Sequence, residues 1–178
     1  MRLVLTLLLL ASLHQSAPAT QTIPLSIEEL IQRADIIAQG TVTSKRTKRL
    51  GKSSIYTCIE VKITDTWKGT LTTNVLTVAQ AGGILGETIQ VIPGQSQFSI
   101  GEEVVIFGVW NQRQEAVILG LSQGKFSVTT SANNQTKHCF NPFHGRPASS
   151  SSNSAPQAFW KPPLTISRLK TQVTAPKK

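Results

Sequence analysis

Residues 55–69, IYTCIEVKITDTWKG, decide the fold. Ile55, Thr57, Ile59, Val61 and Ile63 occupy alternate positions, and the residues between them are mostly polar. Alternation with a period of two predicts a long, half-buried β-strand. The strand ends at Trp67-Lys68-Gly69, an aromatic anchor followed by a residue that turns the chain. Similar segments on both sides predict a small β-barrel or sandwich.

Two further kinds of element surround this strand. Ser26 and Glu29 form a capping-box pattern, which predicts a short N-terminal helix. The apolar run Val104–Trp110 is typical of a central strand buried on both faces. The remaining predicted strands are 34–44, 75–79, 88–92, 116–121 and 125–128.

The N-terminal residues have the pattern of an export signal. Met1-Arg2 is basic, Leu3–Leu13 is an apolar run too short to span a bilayer, and Ala17-Pro18-Ala19 resembles a signal-peptidase site. We therefore expect residues 1–19 to be a removed secretory signal, with an uncleaved anchor as the alternative. No cysteine follows the apolar run, which argues against a bacterial lipoprotein. The expected location is secreted or periplasmic, without an integral membrane span after signal removal.

The chain divides into two parts after the signal. Residues 20–128 are expected to form one β domain, and residues 129–178 a Ser/Pro-rich basic tail that is disordered or weakly helical. Within the tail, 164–173 has a weak helical pattern, and Asn134 lies in a glycosylation acceptor sequence.

The positive charge is unevenly distributed. Residues 20–136 contain ten Lys or Arg and nine Asp or Glu, whereas residues 137–178 contain seven basic residues and no acid. Half of the basic residues of the domain fall within a predicted loop, 45–52. They are the candidate polyanion-binding residues: Lys45, Arg46, Lys48, Arg49 and Lys52. A solvated loop is the alternative interpretation of this run.

Cys58 and Cys139 are the two cysteines of the chain. An even number of cysteines in an exported protein favours a disulfide between them, with two unpaired thiols as the alternative. A metal role for His138, Cys139 and His144 is not expected, because their spacing matches no strong zinc pattern.

Catalytic motifs are missing from the sequence. Gly94-Gln95-Ser96-Gln97-Phe98 fails the nucleophile-elbow pattern at its last position, and the chain contains no H-E-x-x-H. Residues 81–86 are glycine-rich but lack the Lys-Ser/Thr of a phosphate-binding loop. We expect no enzyme, no catalytic or metal residues and no cofactor.

The order of several short motifs resembles the netrin-like, or tissue-inhibitor-of-metalloproteinases-like, OB-fold modules and secreted bacterial proteins with the same layout. The matching segments are Ala34–Ile37, Gly40–Val42, Tyr56–Ile63, Trp67–Gly69 and Gly101–Gly108. The resemblance covers residues 26–128 and implies a small OB-like barrel. Inhibitors of that family chelate the zinc of their target enzyme with an N-terminal cysteine. Because no cysteine precedes Cys58, their inhibitory residues are not transferred to this chain.

The sequence favours an exported, non-enzymatic binding or interaction module that engages a protein, a peptide or a protease. The alternative is a polyanion binder that uses residues 45–52 and the basic tail to hold anionic polysaccharide, lipid headgroups or nucleic acid. Few aromatic residues accompany the basic residues, and stacking on aromatic side chains is how OB folds hold single-stranded nucleic acid.

Overall fold

The computed structural model describes residues 23–52, 54–131, 135–145 and 163–176. The predicted signal and the acceptor Asn134 lie outside the described residues. The chain is mainly β, as predicted. Its elements are α1 Ile27–Arg33, β1 Ile36–Leu50, β2 Ser54–Lys68, β3 Val75–Ala81, β4 Gly83–Leu85, β5 Thr88–Gln90, β6 Glu103–Trp110, β7 Ala116–Ile118, β8 Lys125–Thr130, β9 Lys137–Phe140, β10 Leu164–Thr165 and α2 Ile166–Thr174.

The strand pairings of the main sheet form a ring. β1 pairs antiparallel with β2 and with β6, and β2 pairs with β3. β3 pairs in parallel with β7, which returns to β6. β8, β9 and β10 extend the sheet from β6, while β4 and β5 form a separate hairpin.

The interior of the ring is filled by one cluster of apolar side chains. β6 contributes Val104 and Ile106, which face Ile36 and Ala38 of β1 and Ile59 of β2 within this cluster. The same strand sends Val105 and Phe107 into a second cluster. β6 is therefore buried on both faces, as its apolar run predicts.

The second cluster lies where α1, β8, β9, β10 and α2 pack on the sheet. Cys139, Leu164 and Leu169 belong to it, although the sequence placed all three in a disordered or weakly helical tail. β9, β10 and α2 pack on the sheet because these apolar residues complete the second core cluster, which residues 20–128 alone would leave partly exposed. The helical pattern at 164–173 corresponds to α2 at Ile166–Thr174.

Helix α1 begins at Ser26, whose hydroxyl accepts from the Glu29 amide while the Glu29 carboxylate accepts from the Ser26 amide. At the other end, the ammonium of Lys68 donates to the carbonyls of Ile31, at 2.7 Å, and Ala34. These contacts satisfy carbonyls at a helix end and hold α1 against β2.

The first strand is longer than predicted. The sequence ended it at 44 and placed 45–52 in a loop, but β1 continues to Leu50 and pairs with β2 throughout, from Lys45 opposite Ile59 to Leu50 opposite Ser54. Because β2 is long enough to pair with residues 45–50, this pairing overrides the weak strand preference of the charged residues. In the part of the chain that is described, no helix is long and apolar enough to cross a membrane.

Candidate functional site

The end of the β1–β2 hairpin, described over residues 43–52 and 54–60, is the segment that we call the basic arm. Four of the five candidate polyanion-binding residues lie on strand β1, and Lys52 lies in the turn. All five side chains are exposed. The pairing of β1 with β2 gives these cations a regular spacing along one strand, which a loop does not provide.

The charges of the basic arm are little neutralised. Arg46 is the member of the five with an ion pair among the described residues, to Glu60 at 3.8 Å, and both side chains are largely exposed. Exposed pairs of this kind contribute little. In the C-terminal part, by contrast, Lys137 pairs with Glu103 at 2.8 Å and Lys170 with Asp65 at 2.6 Å. The available positive charge is therefore concentrated on the arm.

A groove of about 380 Å³ runs beside the arm, between the inner face of β1 and the β4–β5 hairpin. We call it the arm groove. Its walls include Lys45, Thr47, Thr57, Ile84, Ile89 and Val91. The hairpin lies close against the arm because Gly83 has no side chain: a Cβ there would come within 2.4 Å of the Thr57 hydroxyl oxygen.

The β4–β5 hairpin and the residue that follows it expose three apolar side chains at this groove. Ile84 is 66% exposed, Ile89 67% and Val91 78%, and Ile84 and Ile89 face each other across the hairpin. Single exposed apolar residues are ordinary on protein surfaces, whereas a group of neighbouring ones is less common. Sequence reasoning missed these residues, since β4 lies in the glycine-rich segment 81–86. The spacing of Ile89 and Val91 by two residues, within the predicted strand 88–92, was the available signal.

The outer face of the arm carries a compact polar cluster. The guanidinium of Arg113 lies 4.8 Å from the centre of the Tyr56 ring and 2.8 Å from the Glu115 carboxylate. Burial raises the pKa of Glu115, but hydrogen bonds from Asn111 and Arg113 outweigh it and lower the pKa. A hydrogen bond with the Cys58 thiol raises the pKa of the Tyr56 phenol.

The predicted disulfide is wrong: Cys58 and Cys139 are both free and both buried. Cys58 lies between β1 and β3, and its thiol is 3.9 Å from a carboxylate oxygen of Glu115. Cys139 lies between β8 and β10 in the second core cluster. The two thiols belong to different parts of the sheet, so the prediction failed because Cys139 is a core residue of β9.

A buried ion pair lies near the start of β8. The ammonium of Lys125 bonds to the Glu102 carboxylate and, at 2.7 Å, to the Ser127 hydroxyl, which also donates to Glu102 at 2.7 Å. Burial raises the pKa of Glu102, but the hydrogen bonds from Lys125 and Ser127 lower it further than burial raises it. The ammonium, the carboxylate and the hydroxyl therefore satisfy one another's hydrogen-bonding groups at a largely buried position.

The histidines of the C-terminal part do not lie together as a ligand set. His138 pairs across strands with Thr129, whereas the His144 ring stacks near Phe126, with 6.1 Å between ring centres, and its Nε2 lies 2.8 Å from the Leu25 carbonyl. Within the described ranges, no group of three or more His, Cys, Asp or Glu is arranged to hold a metal ion.

No known family model matches this chain. No curated protein sequence is significantly similar to it either.

Proposed function

We propose that this protein is an exported, non-enzymatic binding module whose arm groove holds a polypeptide with both acidic and apolar side chains. One observation supports this above the others: the exposed cation Lys45 and the exposed side chains of Ile84, Ile89 and Val91 border the same groove, and the other four cations lie on the same hairpin. Interfaces between proteins combine apolar contacts with charged surroundings, whereas non-specific binding of an anionic polymer comes almost entirely from cations.

We further propose that the ring of strands is a small OB-like barrel of the netrin-like kind. The pairing order β1-β2-β3-β7-β6 and back to β1 supports it, since it returns to its first strand. The filled interior, with Val61, Val78 and Ile106 all fully buried, is also what a small closed sheet requires. In OB folds the loop between strands 1 and 2 is one of the elements that bind oligonucleotides and oligosaccharides, which agrees with a binding role for the arm.

The second candidate is a polyanion-binding protein that acts through the same arm. It is favoured by the five exposed cations, of which Arg46 alone has an ion pair among the described residues. The C-terminal tail supports this candidate less than its net charge suggests, because Lys137 and Lys170 are each bonded to a carboxylate.

Two variants separate these candidates. The arm variant replaces Lys45, Arg46, Lys48, Arg49 and Lys52 with threonine, and the hairpin variant carries Ile84→Ser and Ile89→Ser. All seven side chains are exposed, so both variants should fold normally.

The experiment is a pull-down from the exported fraction of the native source, at low and high salt, with the wild type and both variants as bait. We expect a discrete protein that is retained at high salt by the wild type and lost with either variant. Recovery of only anionic polymer or lipid, lost at high salt and unaffected by the hairpin variant, would favour the polyanion binder instead.

A further inference from the structure

β1 has an open edge along the basic arm. On the side away from β2, β1 pairs with β6 from Ile36 to Thr41, and Val42 then exchanges hydrogen bonds with Gly101 and Glu102. Beyond Val42, β1 has no strand on that side among the described residues, although its pairing with β2 continues to Leu50. After a register shift at Thr43, the seven regularly paired residues 44–50, about 24 Å long, form an edge without a neighbouring strand in the described part of the chain.

The register identifies which backbone groups point out of this edge. The Ile55 carbonyl accepts from the Gly82 amide at 2.8 Å, so the backbone groups of Ile55 point away from β1. Its partner Arg49 is then a non-hydrogen-bonded position whose own N–H and C=O point away from β2. Because the direction alternates along a strand and the pairing is regular here, the backbone groups of Thr47 and Lys45 point the same way.

The side chains on the two faces of this edge differ. Lys45 and Thr47 face the arm groove, beside Ile84 and Ile89 of the hairpin. Arg46 lies on the outer face, where it approaches Glu60, and Lys48 shares that face at the next-but-one position. Arg49, opposite Ile55, shares the inner face with Lys45. A strand laid along the edge would place alternate side chains over the arm groove, where the exposed isoleucines adjoin Lys45, and over the outer cations Arg46 and Lys48.

We propose that an extended segment of a partner protein, with acidic residues alternating with apolar ones, binds by adding a strand to β1 between residues 44 and 50. The proposal rests on the proposed function and specifies how the polypeptide is held: backbone hydrogen bonds to the edge, apolar side chains in the arm groove and acidic side chains on the outer cations.

Charge complementarity selects this occupant over the others. A second copy of the chain would bring its own lysines and arginines opposite those of the arm, which destabilises strand pairing. The segments outside the described residues contain no Asp or Glu, because all nine acids of the chain fall between Glu28 and Glu115. Cations on an edge strand discourage neutral or basic strands and leave an acidic strand as the matching partner.

The test uses the purified wild-type protein and a short capped peptide of alternating glutamate and valine, with binding measured by calorimetry. Two modified peptides carry N-methyl groups on every valine amide or on every glutamate amide. Since amides of alternate residues point to opposite edges of a strand, each modification blocks one edge only. Strand addition predicts that one modified peptide binds at least about tenfold more weakly while the other binds nearly as well as the parent. If both modified peptides bind equally, strand addition is excluded.

A matched pair of protein variants tests strand addition by changing the edge of β1 instead of the peptide. Lys45→Pro and Lys45→Thr both remove the cation, but the proline also removes the outward N–H, and proline is tolerated on edge strands. We expect Lys45→Pro to bind the parent peptide about three- to tenfold more weakly than Lys45→Thr. Equal affinities of two folded variants would overturn strand addition and leave the proposed function standing. Failure of the wild type to bind the parent peptide, together with failure of the pull-down, would overturn the proposed function itself.

Discussion

Lys170 of α2 donates a hydrogen bond to Asp65 of β2, with 2.6 Å between Nζ and Oδ2. Asp65 also accepts from the indole N–H of Trp67 at 2.9 Å. The hydrogen bond from Lys170 is the largest influence on the pKa of Asp65 and lowers it, against a smaller opposing effect of burial. The contact connects α2, the C-terminal helix, to β2, which pairs with both β1 and β3.

This contact predicts a stability difference that depends on pH. The pKa of Asp65 is lower in the folded than in the unfolded state, so the stabilisation is present above its ordinary value of 3.8 and is lost as the pH falls through the folded value. We expect Lys170→Met to lower the free energy of unfolding by about 0.5 kcal/mol at pH 7, because both side chains are partly exposed. Urea denaturation at pH 7 and near pH 2 measures this. A difference that persists at the lower pH would contradict the assignment, and Lys170→Arg, which keeps the charge, is the control.

Leu169 tests whether α2 is part of the folded core. Its side chain is fully buried in the second cluster. We expect Leu169→Ala to lower the free energy of unfolding by roughly 3 kcal/mol in a single transition. Ser167→Ala on the exposed side of the same helix should change it little. Equal stability of the two variants would mean that the helix does not contribute to the core.

The two cysteines predict a characteristic thiol reactivity. Burial raises the pKa of the Cys139 thiol to about 12, and Cys58 is almost as deeply buried. A disulfide-exchange reagent at pH 8 should therefore react slowly with the native protein and quickly with both thiols after denaturation without reductant. If the denatured protein has no reactive thiol, Cys58 and Cys139 form the predicted disulfide after all.

The Glu102–Lys125 pair predicts coupled effects on stability. Glu102→Gln leaves the ammonium of Lys125 buried without its carboxylate, and we expect a loss of about 3 kcal/mol. Adding Lys125→Met should recover part of this loss, because the double variant has no unpaired buried charge. Chemical denaturation measures these free energies of unfolding. If the loss in the double variant equals the sum of the losses in the single variants, the two groups are not coupled.

The ring of the sheet was largely predictable because its signals are local. The alternation in 55–63 gave β2, and the run at 104–110 gave β6 as a strand buried on both faces. The burial of one face or of both faces of a strand sets the spacing of its apolar residues, and this spacing can be seen in the sequence.

The errors lie where a distant partner decides the conformation. Residues 45–50 read as a charged loop, yet they form a strand because β2 offers a partner for each of them. Cys139 read as a tail residue, but its side chain is buried against Phe126, Leu164 and Leu169 in the second core cluster. The groove beside the arm depends on where β4–β5 folds back, which no local pattern specifies.

The most direct test of the central claim compares two peptides of equal charge and length. One alternates glutamate with valine and the other alternates glutamate with serine, and both are titrated against the wild type and the hairpin variant. The mixed groove predicts that the wild type binds the glutamate–valine peptide at least about tenfold more tightly, and that Ile84→Ser with Ile89→Ser removes this preference. If the wild type binds both peptides equally, the arm recognises charge alone, and the claim that the groove holds a polypeptide through apolar contacts is contradicted.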